Sequence, residues 1–481
     1  MEKQPSLKNN FLLSSAYQIL LVIIPLITAP YLSRVLEADG TGLYSYTSSY
    51  ATFFSLFAAL GTVGYGMREI ARNRNEKKTY SLLFWEIERL TVVTTILCLF
   101  AWALWCAFNH KYRIAYIILS INIFAILFDI SWFYMGIERF QNIVYASAFF
   151  KVLGTISIFL FVNEKKDIYI YILIMSLTTL FSNLGMWFAL PHYLEKIDKK
   201  KIKIKYHFRE TLIYFIPTIA TSIYTVLDKA LIGLITKSEY ENGYYEQATK
   251  IINMSKAITF TAINRVMGAR ISFLFLEKKY DEIKQRIALS IDYIMFIGIG
   301  VMFGLLGVSS RLVPWYFGQG YEQTTYLLYI LSPIIVIIGI SNCLGDQYYS
   351  PAGLRSKSAK YIIIGSCVNL VLNLIMIPIW KGCGAAFASI VAELTITTLY
   401  LKNCNAFLKL SYIISITWKK IFAGCVMLLY IKCINISVNY SFLAIIAEII
   451  GGIVIYTLTL YYVYDKFTRE NLNKIIKKIH K

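Results

Sequence analysis

The chain has 481 residues, of which 57% are hydrophobic and only 16% charged, with a mean hydropathy of +0.57. Soluble domains carry roughly a quarter charged residues, so this balance excludes a soluble protein and describes a chain that crosses a membrane many times. A net charge of +20 would invite nucleic acid in a soluble protein, but here the basic residues sit in short breaks between apolar stretches, where membrane topology accounts for them.

The opening stretch, MEKQPSLKNNFLLSSAYQILLVIIPLITAPYL, has a basic prefix, an apolar run longer than a signal peptide's and no small-residue cleavage pattern. It reads as an uncleaved first helix. Apolar stretches of about 20 residues, enough to cross the hydrocarbon, fall near 11–33, 43–66, 81–108, 112–137, 139–162, 168–190, 211–235, 243–268, 287–311, 324–349, 358–379, 382–402, 416–436 and 441–464. The expectation is an all-α polytopic membrane protein of about 14 transmembrane helices. No soluble domain fits between them, because the longest polar stretch, 191–210, is only about 20 residues long.

With the N-terminus inside, cytoplasmic loops hold about 33 Lys and Arg and outer loops about nine. The inner clusters are Arg68–Lys78, Lys196–Arg209, Arg270–Arg286, Arg355–Lys360 and the tail Lys466–Lys481. An even number of spans returns the chain to the same side, so both termini are expected in the cytoplasm. The eight cysteines lie mostly inside apolar stretches without metal-ligand spacing and read as small core residues.

A weak internal echo begins at span seven. DGTGLYSYTSSY (39–50) and YENGYYEQATKI (240–251) overlay at an offset of about 200, matching Gly42 with Gly243 and Tyr44 with Tyr245. Both read as outer turns leading into the second helix of a block. Six helices per block make the repeats parallel, giving two parallel six-helix lobes, 1–208 and 209–410, around a central cavity. The two extra C-terminal helices and the basic tail (411–481) stand outside the repeat.

Charges inside spans are costly and therefore informative. Asp228 and Lys250 lie about seven residues from the outer ends of consecutive helices, roughly level at about 1.5 Å per residue, and form one expected pair. Asp129 on span four and Lys151 on span five form another, about 6 Å apart in depth by the same rise. Lys256 falls near mid-membrane. Gln247, Lys250, Thr261 and Asn264 make a polar stripe on span eight, and Ser366, Asn369 and Asn373 one on span eleven, both expected to face the interior. Lys229 and Arg265, near helix ends, have snorkelling as the competing reading. Asp292, Glu393 and Glu448 fit either a cavity wall or a helix interface. Lysines outnumber carboxylates among the first group, which favours an anionic cargo in a wet cavity.

DISWFYMGIERFQNIVYASAFFKVLGTISIFLFVNEKKDIYIY (129–171) resembles the span four to five signature of Wzx-type polysaccharide repeat-unit flippases at Trp132, Gly136, Glu138, Lys151, Val162 and Asp167. YFIPTIATSIYTVLDKALIG followed by GYYEQATKI is similar to the same family's span seven to eight region, and SPAGLRSKSAKYIIIGSCVNLVLNLIMIPIWKGCGAAFASIVAEL to a later stretch. One departure is that many relatives carry a Gly soon after the Arg that ends span one, where this chain reads SRVLEADGTG, with Glu37. The resemblance implies the multidrug/oligosaccharidyl-lipid/polysaccharide exporter superfamily. It further implies movement of polyprenyl-diphosphate-linked oligosaccharide repeat units to the outer leaflet for capsule, O-antigen or other surface polysaccharide. The setting is a bacterial cytoplasmic membrane, with polysaccharide polymerase and glycosyltransferases as possible neighbours.

Candidate cargo-binding residues are Arg34, Lys151, Lys229, Gln247, Lys250, Lys256, Asn264, Asn369 and Asn373. Asp129, Asp228 and Glu393 are candidates for coupling to H⁺ or Na⁺, and no other cofactor is expected. A lipid II flippase would use the same diphosphate chemistry and is the alternative, ahead of a cation-coupled drug exporter, whose cavity should be more acidic. A membrane glycan enzyme is disfavoured: His110, His192, His207 and His480 all read as loop or tail residues, and no phosphate-binding GxxxxGK[ST] occurs. Nothing resembles a channel's selectivity filter.

Overall fold

A computed structural model describes residues 7–197, 204–404, 407–438 and 441–479. In chain order the helices are α1 (Leu7–Ala59), α2 (Thr62–Asn73), α3 (Lys77–Phe108), α4 (Arg113–Ala125), α5 (Ser131–Gly136), α6 (Phe140–Phe161), α7 (Ile168–Trp187), α8 (Ile204–Thr236), α9 (Glu239–Lys256), α10 (Ala262–Leu276), α11 (Tyr280–Phe317), α12 (Glu322–Leu331), α13 (Ile334–Leu344), α14 (Arg355–Asn403), α15 (Leu410–Ser437), α16 (Phe442–Tyr462) and α17 (Lys466–Ile479). A 3-10 turn, Ile126–Phe128, follows α4, and π-helical turns, Ala257–Thr261 and Gly345–Tyr349, follow α9 and α13. No strand occurs among the described residues.

The stretches expected to cross the membrane are largely helical, with breaks at 60–61, 129–130 and 332–333. Among the described residues, nine helical stretches are long and apolar enough to cross, or ten if α12 and α13, bent by 43°, make one span. The protein is thus a multi-pass membrane protein.

Single residues reverse the chain where loops were expected. Glu37 in α1 (φ 57°, ψ −175°) and Lys381 in α14 (φ 49°, ψ −128°) are not helical. A straight helix as long as α14 would run about 70 Å, twice the hydrocarbon thickness. Its two arms, 355–380 and 382–403, instead fold onto each other: a Cβ on Gly384 would meet the Met376 carbonyl oxygen at 2.3 Å, and one on Gly365 would meet Ile396 at 2.3 Å. In α1, the Tyr31 hydroxyl donates to Val162 O (2.8 Å) and the Tyr44 ring packs on Tyr171, on either side of the short α6–α7 connection. Lys165, within that connection, pairs with Glu37 at 2.7 Å. The expected outer loops between spans one and two and between eleven and twelve are therefore one-residue turns.

The echoed segments, read as turns, are the first turns of helices, and they touch. A Cβ on Gly42 would lie 1.7 Å from Glu239 O, and one on Gly243 would lie 1.9 Å from Ala38 O. At the repeat offset Gly42 matches Gly243 and Ala38 matches Glu239, so the contact is reciprocal, the mark of a local two-fold. Only glycine allows backbones this close. Glu239 is held there by Tyr112 (2.6 Å) and Lys111 (2.9 Å).

The chain divides into two compact units, Met1–Gly243 and Tyr244–Lys481. In the first, one apolar core gathers Leu32, Leu36, Trp102, Tyr116 and Ile172 from α1, α3, α4 and α7. A second gathers Tyr65, Phe84, Trp132 and Met186. Trp132 stacks on Phe84 with ring centroids 5.4 Å apart, over Gly66, whose Cβ would lie 2.4 Å from the indole; Gly136 abuts Ile70. The motif residues Trp132 and Gly136 are thus packing residues. In the second unit α15 and α16 pack on α11, and buried charges fix them. Lys420, fully buried, reaches Asp292 (3.1 Å) and Asp465 (3.2 Å), while Arg311 reaches Glu448 (2.9 Å) and the Asn435 and Val438 carbonyls. Asp292 and Glu448 therefore belong to helix interfaces.

Candidate functional site

In the second unit, two π-helical turns, Ala257–Thr261 and Gly345–Tyr349, flank a cavity. A π turn inserts one residue, which rotates the following helical face and loosens the local ladder. After α13 it is closed by Ser350 N donating five residues back to Gly345 O (2.9 Å). Beside these turns lies a cavity of about 340 Å³ lined by Phe260, Thr261, Asn264, Asn342 and Asp346. Asn264 Oδ1 accepts from Gln347 Nε2 at 2.9 Å, and the buried Gln347 Oε1 has no partner. Two amides, a hydroxyl, a carboxylate and an aromatic ring suit a ligand rich in hydroxyl groups.

None of the residues lining this cavity is basic. Lys256 ends α9 just before the first π turn and is half-buried, within electrostatic reach of Glu393. Glu393 is buried with Ser341 Oγ at 3.4 Å. Asn369 and Asn373 are buried against the second arm of α14: Asn373 Nδ2 donates to Asn369 Oδ1 (3.0 Å) and Asn369 Nδ2 to Ser389 Oγ (3.5 Å). They brace the hairpin. Gln247 is fully buried with neither amide atom hydrogen-bonded. Lys250 lies 3.7 Å from Glu246, one turn earlier on α9.

In the first unit, Asp129 does not pair with Lys151. Helix breaks on both sides of Ile130 let the Asp129 carboxylate turn back and accept from Ser131 N (3.1 Å), and among the described residues Lys151, half-buried on α6, has no carboxylate partner. Asp129 instead acts electrostatically on Glu88 of α3, which is buried with Oε2 unpartnered. Asp228 is buried in α8, Lys229 half-buried beside it, and Arg34 exposed one turn before the Glu37 break. The Arg265 side chain and His480 lie outside the described residues.

Sequence reading missed several groups. Asn342 and Asp346 were visible as polar residues one turn apart in an apolar span. Lys420 sits in ITWKKIF with no nearby acid to announce it. His207, read as a loop residue in KIKIKYHFRE, is in the first turns of α8 and only 3% exposed. Its Nδ1 is hydrogen-bonded to the Tyr65 hydroxyl (2.7 Å) and its Nε2 to Glu86 Oε2 (2.9 Å).

Residues 7–268, more than half of the chain, match the family described as polysaccharide biosynthesis protein. The chain belongs to this family. Among curated proteins it is similar to a putative O-antigen transporter of Escherichia coli (strain K12), at 23% identity over 82% of this chain and 96% of that one. It also matches a probable low-salt glycan biosynthesis flippase of Haloferax volcanii, at 25% identity over 47% of this chain and 49% of that one. Among solved structures, this polysaccharide biosynthesis protein has the fold of the lipid II flippase MurJ in an inward closed conformation, with a TM-score of 0.74 at 16% identity over 94% of this chain and 98% of that one. A MATE-family multidrug resistance transporter of the MOP superfamily follows at 0.57 and 11% identity, over 85% and 99%. The resemblance to the polysaccharide flippase family holds, and with it a transporter rather than an enzyme.

Proposed function

We propose that this protein is a flippase that carries polyprenyl-diphosphate-linked oligosaccharide repeat units from the cytoplasmic to the outer leaflet for surface polysaccharide synthesis. The observation that carries this reading is the polar pocket of the second unit, an open cavity in which the buried Asn264 and Phe260 and the half-buried Thr261 face the exposed Asn342 amide and Asp346 carboxylate. A lipid-embedded helix has no use for such groups unless a polar cargo satisfies them. Sugar hydroxyls both donate and accept, so they match Asn264, Asn342 and Asp346, while the face of a sugar ring packs on Phe260.

The diphosphate needs cations instead. Lys151 fits best, a half-buried ammonium with no carboxylate beside it, and an ammonium binds phosphate without demanding fork geometry. Arg34, Lys229 and Lys250 are further points of contact along the path. Glycan and diphosphate are thus met by different groups, and the polyprenyl tail stays in lipid. Transport proceeds by alternating access coupled to H⁺ or Na⁺, with Asp129, Asp228 and Glu393 as carboxylates able to exchange a proton or ion.

The test is reconstitution into proteoliposomes with a defined polyprenyl-diphosphate-linked oligosaccharide, measuring its delivery to the far leaflet with and without ion gradients. Faster delivery than in protein-free vesicles supports the reading. Delivery of lipid II alone would replace it with the peptidoglycan alternative, and delivery of neither would overturn it.

A further inference from the structure

In the first unit α3 packs on α4 and on the broken stretch that follows it. Trp102 Nε1 donates to Tyr116 O (3.0 Å) near one end of this interface, and Phe84 stacks on Trp132 near the other. The two segments run antiparallel between these contacts, which brings Glu88 level with Asp129 and Thr95 level with Asn122. Residues 84, 88, 95 and 102 fall on a single stripe of α3, at i, i+4, i+11 and i+18. Glu88 is only 4% exposed, and its Oε2 has no hydrogen-bond partner among the described residues. Thr95 Oγ1 and Asn122 Oδ1 are buried in the same condition. Opposite Glu88, the 3-10 turn Ile126–Phe128 gives way to non-helical Asp129 and Ile130. α7 holds the carbonyls of this break: Asn183 Nδ2 donates to Ala125 O (2.9 Å) and Trp187 Nε1 to Phe128 O (3.0 Å).

We propose that Glu88 is a proton-binding site, held as a neutral acid for as long as α3 is packed against the helix break at Asp129. This deepens the ion-coupled flippase reading by adding a carboxyl to those named there, and rests on it for the transport consequence. A carboxylate with no hydrogen-bond donor is among the costliest groups to bury, and a second carboxylate nearby raises that cost. One proton removes the charge and turns an oxygen lacking a donor into a donor itself. Asp129 is half-buried and accepts from Ser131 N (3.1 Å), so the negative charge of the pair has a hydrogen-bonded seat there. Asp129 is the charged group that acts on Glu88. On α3 itself, Arg89 lies about 100° away around the helix and Glu86 about 160°. α2 and α8 gather Glu69, His207 and Glu210 around Tyr65 and Glu86, on that other side. α1 carries no charge between Asp39 and its end at Ala59, and Asn183 and Trp187 of α7 are neutral. A 3-10 stretch inside a span is a place where the span can bend. When the break swings from α3, water reaches Glu88 and takes its proton, and the two bare carboxylates then oppose reclosure. The proton and the packed arrangement thus stabilise each other.

Three measurements on the full chain test this. In nanodiscs at neutral pH, the infrared spectrum of the wild type should contain the carbonyl stretch of a protonated carboxyl that Glu88→Gln lacks. Asp129→Asn removes the neighbouring charge and should move the loss of that band to lower pH. In mixed micelles, wild-type stability should fall relative to Glu88→Gln as pH rises above about 4.3, where a free glutamate titrates, because the unfolded chain then binds fewer protons than the folded one. In proteoliposomes, with a polyprenyl-diphosphate-linked oligosaccharide as the probe, the ratio of delivery rates with and without a pH gradient should fall to unity in Glu88→Gln. Identical carboxyl bands in wild type and Glu88→Gln, or stability curves that run parallel with pH, overturn the proton site. Stabilisation by Na⁺ over K⁺ that the wild type shows and Glu88→Gln loses overturns it in favour of a metal cation. A Glu88→Gln protein that keeps the wild-type gradient response overturns its part in transport. If wild-type protein delivers no probe, the flippase reading fails, and the infrared band still decides whether Glu88 holds a proton.

Discussion

Replacing Lys420 by Met separates a structural lysine from a cargo-binding one. Lys420 Nζ lies 3.1 Å from Asp292 Oδ1, 3.2 Å from Asp465 Oδ2 and 3.1 Å from Ile416 O, with no exposed surface. Methionine fills a similar volume but leaves two carboxylates facing each other in a buried interface. Asp465 retains its bonds from Thr468 N (2.9 Å) and Oγ1 (2.8 Å), and Asp292 the one from Tyr412 (2.6 Å), so part of the loss is cushioned. Breaking a buried pair by deleting one partner costs about 3–5 kcal/mol, a fall of roughly two to four powers of ten in the folded-to-unfolded ratio. Reversible unfolding in mixed detergent micelles measures it. Adding Asp292→Asn to Lys420→Met should recover more than half of the loss, because the amide oxygen still accepts from Tyr412 and no longer carries charge. A single variant within about 1 kcal/mol of wild type, or a double variant no better than the single, would refute the claim that this triad fastens α15 and α17 to α11. At equal folded amount, Lys420→Met should deliver cargo as the wild type does, since the lysine is buried within a helix interface against two carboxylates.

Gly243→Ala places a methyl 1.9 Å from Ala38 O, so the two helix starts must part by about 1 Å; a loss on the order of 1–3 kcal/mol is expected, read as a lower unfolding midpoint. Glu37→Gly relieves a left-handed residue worth about 1–3 kcal/mol and forfeits an exposed ion pair with Lys165 worth about 1 kcal/mol at most. Asp39 still holds Lys165 at 2.9 Å. The variant should therefore melt higher, and a lower midpoint would show that the break is not strained. Asp346→Ala removes a charged acceptor from the cavity wall; hydrogen bonds to charged groups contribute about 1.5–3 kcal/mol, so delivery of lipid-linked oligosaccharide at sub-saturating concentration should drop roughly tenfold to a hundredfold. Unchanged delivery would remove the cavity from the cargo path.

Of the residues that line the cavity, only Thr261 and Asn264 stood out in the sequence. Asn264 and Lys256 stood out as polar residues within an apolar span, and both lie at the π turn beside the cavity. Their partners were hidden, because Gln347 and Glu393 reach them from helices far along the chain. The Asp129–Lys151 pair failed because depth alone was compared: the chain breaks around Asp129, and a broken helix turns a side chain away from the face that regular spacing assigns it. His207 was misplaced because charge density in its neighbourhood outweighed the two residues that bury it, Tyr65 and Glu86, both over a hundred positions away.

The sequence by itself determined what depends on one dimension: that the chain lives in a membrane, where each apolar stretch lies, and which family it joins. Hydropathy, stretch length and motif spacing are properties of contiguous residues, and lipid enforces them without reference to neighbours. Tertiary structure alone decided which charges are fasteners and which line a cavity. It did so through Glu37 and Lys381, which reverse helices within one residue, and through two π turns that rotate everything after them. Each inserted residue swings later side chains by about 100°, so the faces that meet are set by where the helices bend and not by spacing along the chain.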